Sequence, residues 1–573
     1  MKKILYLLAI IPLFTSCEDF LDVNSYTTKN SSTFPVNEND AAQLVVGVYA
    51  NLNTSIASPQ STYFFAAEVV SDDRFGGGGE NDKEFLSMGH LLYNNTNQFQ
   101  VMWQQHYQGI ARANAAVTAL DVMEDGDLKN QKQGEARFLR AFYYFELAQM
   151  FGEIPLMKSS PESVQEAIVS PPQSSADEVF QQIGTDLWLA YSTMPSVKWD
   201  EVSSGTATKW AAASLLARVW LFYTGFYSKD ALPIDDGQVT KDQVAAALKD
   251  VIDNSGHSLL GDFRSLWPYT NKLTKGDYAF AKDAPDWVED GKNPEHVFVI
   301  KCSHLASWGT STGYANQFCL FFGIRNGGQG DLYQTTFPFG QGWGSGPVNT
   351  SLWDEWKADE PNDIRRSASI WNQEDEVNGS YYWGNDAQME ETGLWQKKIV
   401  ATTSKKSDGS LYNSFTAPYY NHPDNDDFQI GYETDFIQIR YADVLLMYSE
   451  ITKTVDGINA VRTRAGLPSI ATYTDDALRK ERRYELAFEG LRWGDIRRWK
   501  IAETALAKKY GVAIKNRGVS TFMKPQGAAD LPSRYKATNG FWMIPQTEVD
   551  LANGAITQNL GWGTEAIFNS WVD

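Results

Sequence analysis

Two stretches of the chain set aromatic side chains among glycines and small polar residues. The first is residues 308–317, which read Trp-Gly-Thr-Ser-Thr-Gly-Tyr-Ala-Asn-Gln, and the second is residues 331–343, which end in a tryptophan. Tryptophan and tyrosine rings can lie on the apolar face of a ligand, while amide, carboxylate and guanidinium groups bind hydroxyl groups at its edge. A sugar ring has both features, so we predict that these loops bind sugar. The predicted contacts are Trp308, Tyr314, Asn316, Tyr333, Trp343 and, from the same loop-rich part of the chain, Trp287.

Catalysis has weaker support in the sequence. A glycoside hydrolase needs a pair of carboxylates at the scissile bond, but among 71 acidic residues no spacing distinguishes such a pair from acidic surface. There is no HExxH motif and no Cys/His cluster, and the six histidines are scattered. We therefore predict that the protein is not an enzyme and that it has no catalytic residue, metal or cofactor. Calcium at Asp72-Asp73 or at residues 424–427 is an alternative, although the second segment lacks the spacing of a calcium loop.

Composition excludes further classes. Of the 573 residues, 43% are hydrophobic and 21% are charged, which is ordinary for globular proteins and fits neither wholesale disorder nor a polytopic membrane protein. The formal charge of −21 would repel a phosphate backbone, so nucleic acid is not a predicted partner. Aromatic residues make up 13% of the chain, and a scaffold that bound only protein partners would leave the tryptophans of its loops unexplained.

The N-terminus has the features of an exported protein. Two lysines precede the apolar run 4–14, which is too short to span a membrane permanently and indicates a signal peptide over residues 1–16. The sequence Phe-Thr-Ser-Cys that ends at Cys17 resembles the lipobox of bacterial lipoproteins, so we expect Cys17 to be acylated. Ordinary secretory cleavage beside a chance cysteine is the alternative. Residues 17–39 are rich in Ser, Thr and Asn and are predicted to form a lipid-anchored tether.

Helical periodicity dominates both ends of the chain. Amphipathic segments separated by Pro, Gly and Ser turns are predicted at residues 40–52, 134–151, 177–194, 208–227 and 241–254. Helix pairs of this length that cannot bury their faces alone indicate a tetratricopeptide-like array over residues 40–258. Residues 259–435 lack a sustained period and contain nine of the 19 tryptophans. Helical spacing returns in residues 436–573, including a helix predicted over 475–499.

The predicted fold is therefore mainly α. It is a tetratricopeptide-like helix-pair scaffold, formed by both ends of the chain as one compact unit, with an insertion of loops and short strands between them. Function tends to reside on such loops. The insertion also contains Cys302 and Cys319, and their spacing leaves open whether they form a disulfide.

Several motifs resemble hallmarks of the SusD/RagB family, and they follow the order of that family from the lipobox to the C-terminus. They are the helix Glu135-Ala-Arg-Phe-Leu-Arg-Ala-Phe-Tyr-Tyr-Phe-Glu-Leu, the runs Ile439-Arg-Tyr-Ala-Asp-Val-Leu-Leu and Asn459-Ala-Val-Arg-Thr-Arg-Ala-Gly, the segment 481–499, and the ending Trp542-Met-Ile-Pro-Gln-Thr-Glu. Within the segment 481–499, Glu481, Glu485 and Glu489 are spaced to pair with Arg482, Arg492 and Arg497 along one helix. We predict a structural role for them.

The resemblance implies a lipoprotein of the outer-membrane surface that is anchored through Cys17. Such a protein binds an oligosaccharide without breaking it and forms a lid over a SusC-like TonB-dependent transporter. A peptide ligand is the alternative within this uptake system. The resemblance also implies ligand residues between the first helices, where residues 72–79 (Asp-Asp-Arg-Phe-Gly-Gly-Gly-Gly) precede residues 93–95. From this region the predicted contacts are Phe75, Tyr93 and Asn95.

Overall fold

The computed structural model describes residues 35, 37–159, 171–325, 335–377, 381, 383 and 388–572. The predicted signal peptide, Cys17, most of the tether and Tyr333 lie outside the described residues. The described α-helices are α1 Glu38–Ile56, α2 Tyr63–Val70, α3 Lys83–Met88, α4 Gln100–Leu120, α5 Asp127–Phe151, α6 Ala176–Thr193, α7 Lys209–Tyr227, α8 Lys241–Asn254, α9 Gln317–Phe321, α10 Thr350–Asp359, α11 Ile364–Ser369, α12 Gln373–Glu376, α13 Thr416–Tyr419, α14 Tyr441–Thr452, α15 Asp456–Arg464, α16 Asp475–Glu485, α17 Arg492–Arg498, α18 Ala502–Ala507, α19 Leu531–Thr538 and α20 Gln546–Leu551. The described β-strands are β1 Ile154–Pro155, β2 Gln173–Ser174, β3 Leu232–Ile234, β4 Gly237–Val239, β5 His296–Ile300, β6 Ile370–Asn372, β7 Leu394–Gln396, β8 Phe436–Arg440, β9 Ala513–Asn516 and β10 Val519–Phe522.

Side-chain caps fix the beginnings of the long helices. At the start of α6, Glu178 N donates to the Ser175 hydroxyl at 3.3 Å, and Ser175 N donates to the Glu178 carboxylate at 2.9 Å, which forms a capping box. Thr240 and Gln243 form the same motif at the start of α8. The helices predicted in the N-terminal half are confirmed as α1 and α5–α8, and α5 begins earlier than predicted, at Asp127.

Successive helices pack on each other and bury faces that no single helix could cover. α4 packs on α5, α5 on α6, α6 on α7 and α7 on α8, and α14 from the C-terminal half continues the array against α8 and α15. The approach of α4 to α5 is close at Gly109, where an added Cβ would lie 2.5 Å from a ring carbon of Tyr143. The fold is therefore mainly α, as predicted, and its helix pairs are repeat-like.

The prediction of one helix over residues 475–499 is wrong, because the segment divides into α16 and α17. Between the two helices the chain turns through Phe488 and Gly490, whose φ angles are +67° and +76°. Such left-handed angles end a right-handed helix and favour glycine. Glu489 therefore lies in a turn, and the three glutamates do not form a row of ion pairs along one helix.

The glutamates pair instead with basic residues from distant parts of the chain. Glu485 contacts Arg365 and Arg440 at 3.0 Å and Arg464 at 2.5 Å, and none of these four side chains has appreciable exposure. Arg365 also contacts Glu481 at 2.6 Å. This buried network attaches the loop-rich part of the chain to the C-terminal helices, so the predicted structural role is retained with different partners.

Five antiparallel strand pairs occur among the described residues, and the pair β5–β8 joins the ends of residues 301–435, which are the larger part of the loop-rich segment. In this pair Ile300, the last residue of β5, lies opposite Phe436, the first residue of β8. The chain therefore leaves the sheet and returns to it at the same point. All the elements given above lie between Glu38 and Leu551, so a chain that begins at residue 18 contains every one of them.

The two cysteines of the loop-rich segment do not form a disulfide. Cys302 and Cys319 are buried free thiols. Burial raises the pKa of both thiols, to about 12 for Cys319. A buried protonated thiol is a poor nucleophile, so these residues serve packing rather than chemistry.

Candidate ligand-binding site

The β5–β8 pair brings together two loops that are far apart in the sequence. One is the Trp308 loop, residues 301–316, which leaves the end of β5. The other is the His422 loop, residues 415–435, which leads into the start of β8. Because the two strands are antiparallel and end at the same level, the two loops must start side by side.

Backbone and apolar contacts hold the two loops against each other. Asn316 N donates to Tyr432 O at 2.8 Å, and Asn316 Nδ2 donates to Thr434 O at 3.2 Å. Ala306, Ala315 and Ile430 form a small buried cluster between the loops. Asn316 is itself buried, so its predicted contact with a ligand is corrected to a clamp between the loops.

The Trp308 loop presents two aromatic rings to solvent. Trp308 is 67% exposed and is the only exposed tryptophan in the part of the chain that the structure describes, while Tyr314 is 38% exposed. The turn that carries Trp308 is tight, because Ser307 N donates to Ser311 O at 3.1 Å and Gly309 N donates to Ser307 Oγ at 3.0 Å. An indole with this exposure presents a flat apolar face that a sugar ring can cover, so this ring is the strongest candidate for a stacking platform.

The His422 loop adds aromatic residues that sequence reasoning missed. Tyr419 and Tyr420 are half-buried, and their ring centroids are 5.1 Å apart. Beneath them Trp287 packs edge-on against Phe415 and Tyr419, with centroid distances of 5.6 Å to each. Trp287 is buried, so the prediction that it contacts the ligand is corrected: the indole supports the ring of Tyr419. The dipeptide Tyr419-Tyr420 in a polar loop was the signal that could have identified this second set.

A pair of acidic residues lies at the base of the two loops. Asp435 N donates to the Asp290 carboxylate at 2.8 Å, and Lys301 Nζ contacts the Asp435 carboxylate at 2.5 Å. Burial and the neighbouring Asp435 raise the pKa of Asp290 well above its usual value. Burial also raises the pKa of Asp435, although Lys301 opposes that shift. Burial and mutual repulsion therefore favour the protonated form in this pair more than in an exposed aspartate.

The remaining predicted contacts lie elsewhere or are buried. Phe75 is fully buried and packs with Ile514 and Met523, so its prediction as a ligand contact is corrected to a core residue. Tyr93 is half-buried beside Trp562 at a centroid distance of 6.2 Å, and Asn95 is exposed nearby.

Two further parts of the predicted site, the glycine run after Phe75 and Trp343, pack against the protein core. The glycine run after Phe75 is in close contact with the core, because a Cβ on Gly76 would lie 2.4 Å from Phe85 O. Trp343 is half-buried against the main core, and its carbonyl accepts a hydrogen bond from Arg325. Trp308 and Tyr314 therefore share one loop on which both rings are exposed, and Tyr93, Asn95 and Trp343 lie outside the two loops.

The acidic segments considered for calcium already have partners. The Asp72 carboxylate accepts two hydrogen bonds from Arg492, at 2.7 and 2.8 Å, and Asp73 pairs with Arg483 at 2.6 Å. Burial alone would raise the pKa of Asp72, but the two arginines outweigh it and hold that pKa well below its usual value. In the other segment, the Asp427 carboxylate accepts from Gln429 N at 2.6 Å. These carboxylates therefore serve ion pairing and loop capping.

A separate cavity provides a second aromatic surface. It measures about 490 Å³ and is lined by Phe280, Phe337 and Trp353, with Asp277 and Glu376 among the polar residues. A concave site with aromatic walls and a few charged groups suits a ligand in general. The sequence did not predict this cavity, because its residues come from separate segments that only the fold brings together.

The helical array and the aromatic surface on paired loops place the chain among helical-repeat binding proteins. Residues 288–562 match a family model described as the SusD family, and residues 19–221 match one described as starch-binding associating with outer membrane. The chain belongs to the SusD/RagB family. Among the described residues, no helix has the length and apolar character needed to cross a membrane.

Relatives and solved structures agree with this assignment over most of the chain. SusD-like protein P2 of Formosa agariphila is 27% identical over 426 residues, which cover 70% of this chain and 71% of the relative. A solved laminarin binding SusD-like protein has a TM-score of 0.66 and 26% identity, covering 92% of this chain and 100% of that one. Surface glycan-binding protein A from Bacteroides thetaiotaomicron, solved with laminarihexaose, has a TM-score of 0.65 at 18% identity, covers 91% of this chain and 99% of its own, and shares the fold.

Proposed function

We propose that the protein captures an oligosaccharide at the cell surface and delivers it unbroken to a SusC-like TonB-dependent transporter. The observation that carries the proposal is the exposed indole of Trp308 on a loop whose conformation is fixed by its own hydrogen bonds. Together with Tyr314 and the tyrosines of the His422 loop, it offers rings for the apolar faces of several sugar units. Two structural neighbours bind laminarin or laminarihexaose, which supports a β-glucan as the first ligand to test.

The test is calorimetric titration of the chain that begins at residue 18 with laminarin, its oligosaccharides and a panel of other glycans. Each mixture is analysed afterwards for new reducing ends. We expect heat of binding with an intact glycan. Heat followed by new reducing ends would make the protein a glycoside hydrolase, and silence across the panel would refute glycan binding and direct attention to peptides.

Variants distinguish the two aromatic surfaces. Burying one aromatic side chain contributes about 1.5–3 kcal/mol, so Trp308→Ala should weaken glycan binding by about 10- to 100-fold. Tyr314→Ala should weaken it less, because less of its ring is available. Phe337→Ala, in the separate cavity, is the matched control and should leave the affinity unchanged. Loss of binding in Phe337→Ala with full binding in Trp308→Ala would move the site to the cavity.

The anchor and the transporter partner are tested separately. Mass spectrometry of the mature protein should find residue 17 at the N-terminus with acyl groups on its cysteine, and an unmodified Cys17 would refute the lipid anchor. Affinity purification of the mature protein from solubilised outer membranes should recover a TonB-dependent transporter in stoichiometric amount. Its absence under conditions that retain glycan binding would refute delivery to such a partner.

A further inference from the structure

The two loops of the candidate site also bring together three side chains with the chemistry of metal ligands. They are His304 on the Trp308 loop and His422 and Glu433 on the His422 loop. One donor atom from each lies within 4.8 Å of the other two, and this is the one such group among the described residues. We propose that His304, His422 and Glu433 form a binding site for a transition-metal ion of the Zn²⁺ class.

The donor set selects the kind of ion. Imidazole nitrogens suit Zn²⁺ and its neighbours in the first transition row, whereas Ca²⁺ and Mg²⁺ prefer oxygen ligands only. In a tetrahedral zinc site with bonds of about 2.0–2.2 Å, neighbouring ligand atoms lie about 3.3–3.6 Å apart. The distances from the Glu433 carboxylate to His422 Nδ1 (2.9 Å) and to His304 Nδ1 (4.0 Å) lie on either side of that value. The Glu433 carboxylate therefore lies at nearly the required distance from both imidazoles.

The burial of the three side chains matches an open metal site. Glu433 is only 6% exposed, whereas His422 is 33% and His304 is 47% exposed. Three protein ligands with solvent on one side leave a fourth position for water or a ligand hydroxyl group.

The Glu433 carboxylate is also held in place by a residue outside the proposed ligand set. Asn425 Nδ2 donates to Glu433 Oε1 at 3.0 Å, as partners beyond the ligands commonly do in metal sites. The backbone of His422 is held as well, since its N–H donates to Ala417 O at 2.8 Å.

The arrangement of the two imidazoles favours a shared cation. Their ring centroids are 4.0 Å apart, so two protonated rings would repel each other. A hydrogen bond from His422 to Glu433 satisfies only one of the rings. A metal ion would bind a nitrogen of each ring and the carboxylate at the same time. It would thereby join the Trp308 loop to the His422 loop.

The experiment is titration of the metal-free, tag-free chain beginning at residue 18 with ZnCl₂, followed by calorimetry. We expect one equivalent of Zn²⁺ to bind to the wild-type chain. His304→Ala should weaken that binding at least tenfold. The substitution removes a half-exposed ring and leaves the contacts of Glu433 with His422 and Asn425 in place, so the variant should fold, and circular dichroism checks that it does.

Asp424→Asn is the matched control, because it removes an exposed acidic group close to His422 without removing a ligand. It should bind Zn²⁺ with unchanged affinity. A second measurement uses Co²⁺, whose visible absorption should indicate tetrahedral coordination in the wild-type chain and lose intensity in His304→Ala. No binding to the wild-type chain, or equal affinity in the wild-type and His304→Ala chains, would overturn the proposal. No glycan is present in these titrations, so their outcome does not depend on the proposed function.

Discussion

Glu485→Gln should strongly destabilise the protein, because Glu485 is the carboxylate on which three buried arginines converge. The substitution keeps the size of the side chain but removes its charge. The Glu485 carboxylate now lies 2.5–3.0 Å from Arg365, Arg440 and Arg464. After the substitution these arginines would remain buried, and each would have lost one charged partner.

The magnitude follows from the burial of the network. Removing one member of a buried ion pair costs about 3–5 kcal/mol, because it leaves an uncompensated buried charge. Each of the three arginines keeps another acidic contact; Arg440, for example, contacts Glu295 at 2.9 Å. We therefore expect the lower end of that range, a loss of about 3 kcal/mol in the free energy of unfolding.

Urea denaturation followed by tryptophan fluorescence measures the effect, and Glu503→Gln provides the control. Glu503 forms one exposed ion pair with Lys536 at 3.1 Å, so the same chemical change there should cost less than about 1 kcal/mol. Equal losses in the two variants would refute the reasoning, since it attributes the cost to burial and to the number of charged partners.

The same network predicts a pH dependence. Burial alone would raise the pKa of Glu485, but attraction to Arg464, Arg440 and Arg365 outweighs it and holds the pKa well below the usual 4.5. A depressed pKa contributes stability that is present in full above about pH 4.5 and is lost as the pH falls towards the pKa of the folded state. The difference between the wild type and Glu485→Gln should therefore be constant from pH 7 to about 5 and shrink at lower pH.

Three further predictions concern packing, buried carboxylates and thiols. Gly109→Ala should destabilise the protein by about 1–3 kcal/mol, because the added Cβ would meet a tyrosine ring. Gly47→Ala should stabilise it by up to about 1 kcal/mol, because no neighbouring group lies within 4 Å of the added Cβ. Urea titrations measure both changes. Since the folded state raises the pKa of Asp290, its ionisation opposes folding as the pH rises, and Asp290→Asn should stabilise the protein at pH 8 more than at pH 4. Cys302 and Cys319 should react with a thiol reagent only after unfolding, and rapid reaction in the native state would contradict their burial.

The sequence predicts the helices well, because their signals are local. Apolar spacing, caps and glycine stops indicate α1 and α5–α8 within a few residues of their observed ends, except at the start of α5, which lies seven residues earlier than predicted. The error at residues 475–499 arises because acidic and basic residues at helical spacing suggest ion pairs within one helix. The same spacing occurs here, although each glutamate binds arginines that are far away in the chain. Only the fold shows that Glu485 binds Arg365 and Arg440.

The candidate site is less predictable, because it depends on pairing over a long range. Trp308 and Tyr314 stand out as aromatic residues in a polar loop. His304 and Glu433 carry no such signal, because their proximity follows from the pairing of β5 with β8. An exposed ring and a buried ring also look alike in sequence. Neither the loop-rich context of Trp287 nor the resemblance that implies Phe75 shows that these two rings are buried.

The position of the β5–β8 pair has a consequence for how such a protein can diversify. Residues 301–435 begin and end at adjacent points, so a replacement segment of different length could stand between β5 and β8 without moving the ends of these two strands. The entropy cost of closing a longer loop rises only slowly with its length. The replacement would still need basic residues that match the buried glutamates, as Arg365 does now, and apolar residues that fill the hydrophobic core, as Phe318 and Leu320 do. Ligand preference can therefore change through the exposed loops of this segment, provided that both the electrostatic and the apolar attachments to the helices are preserved.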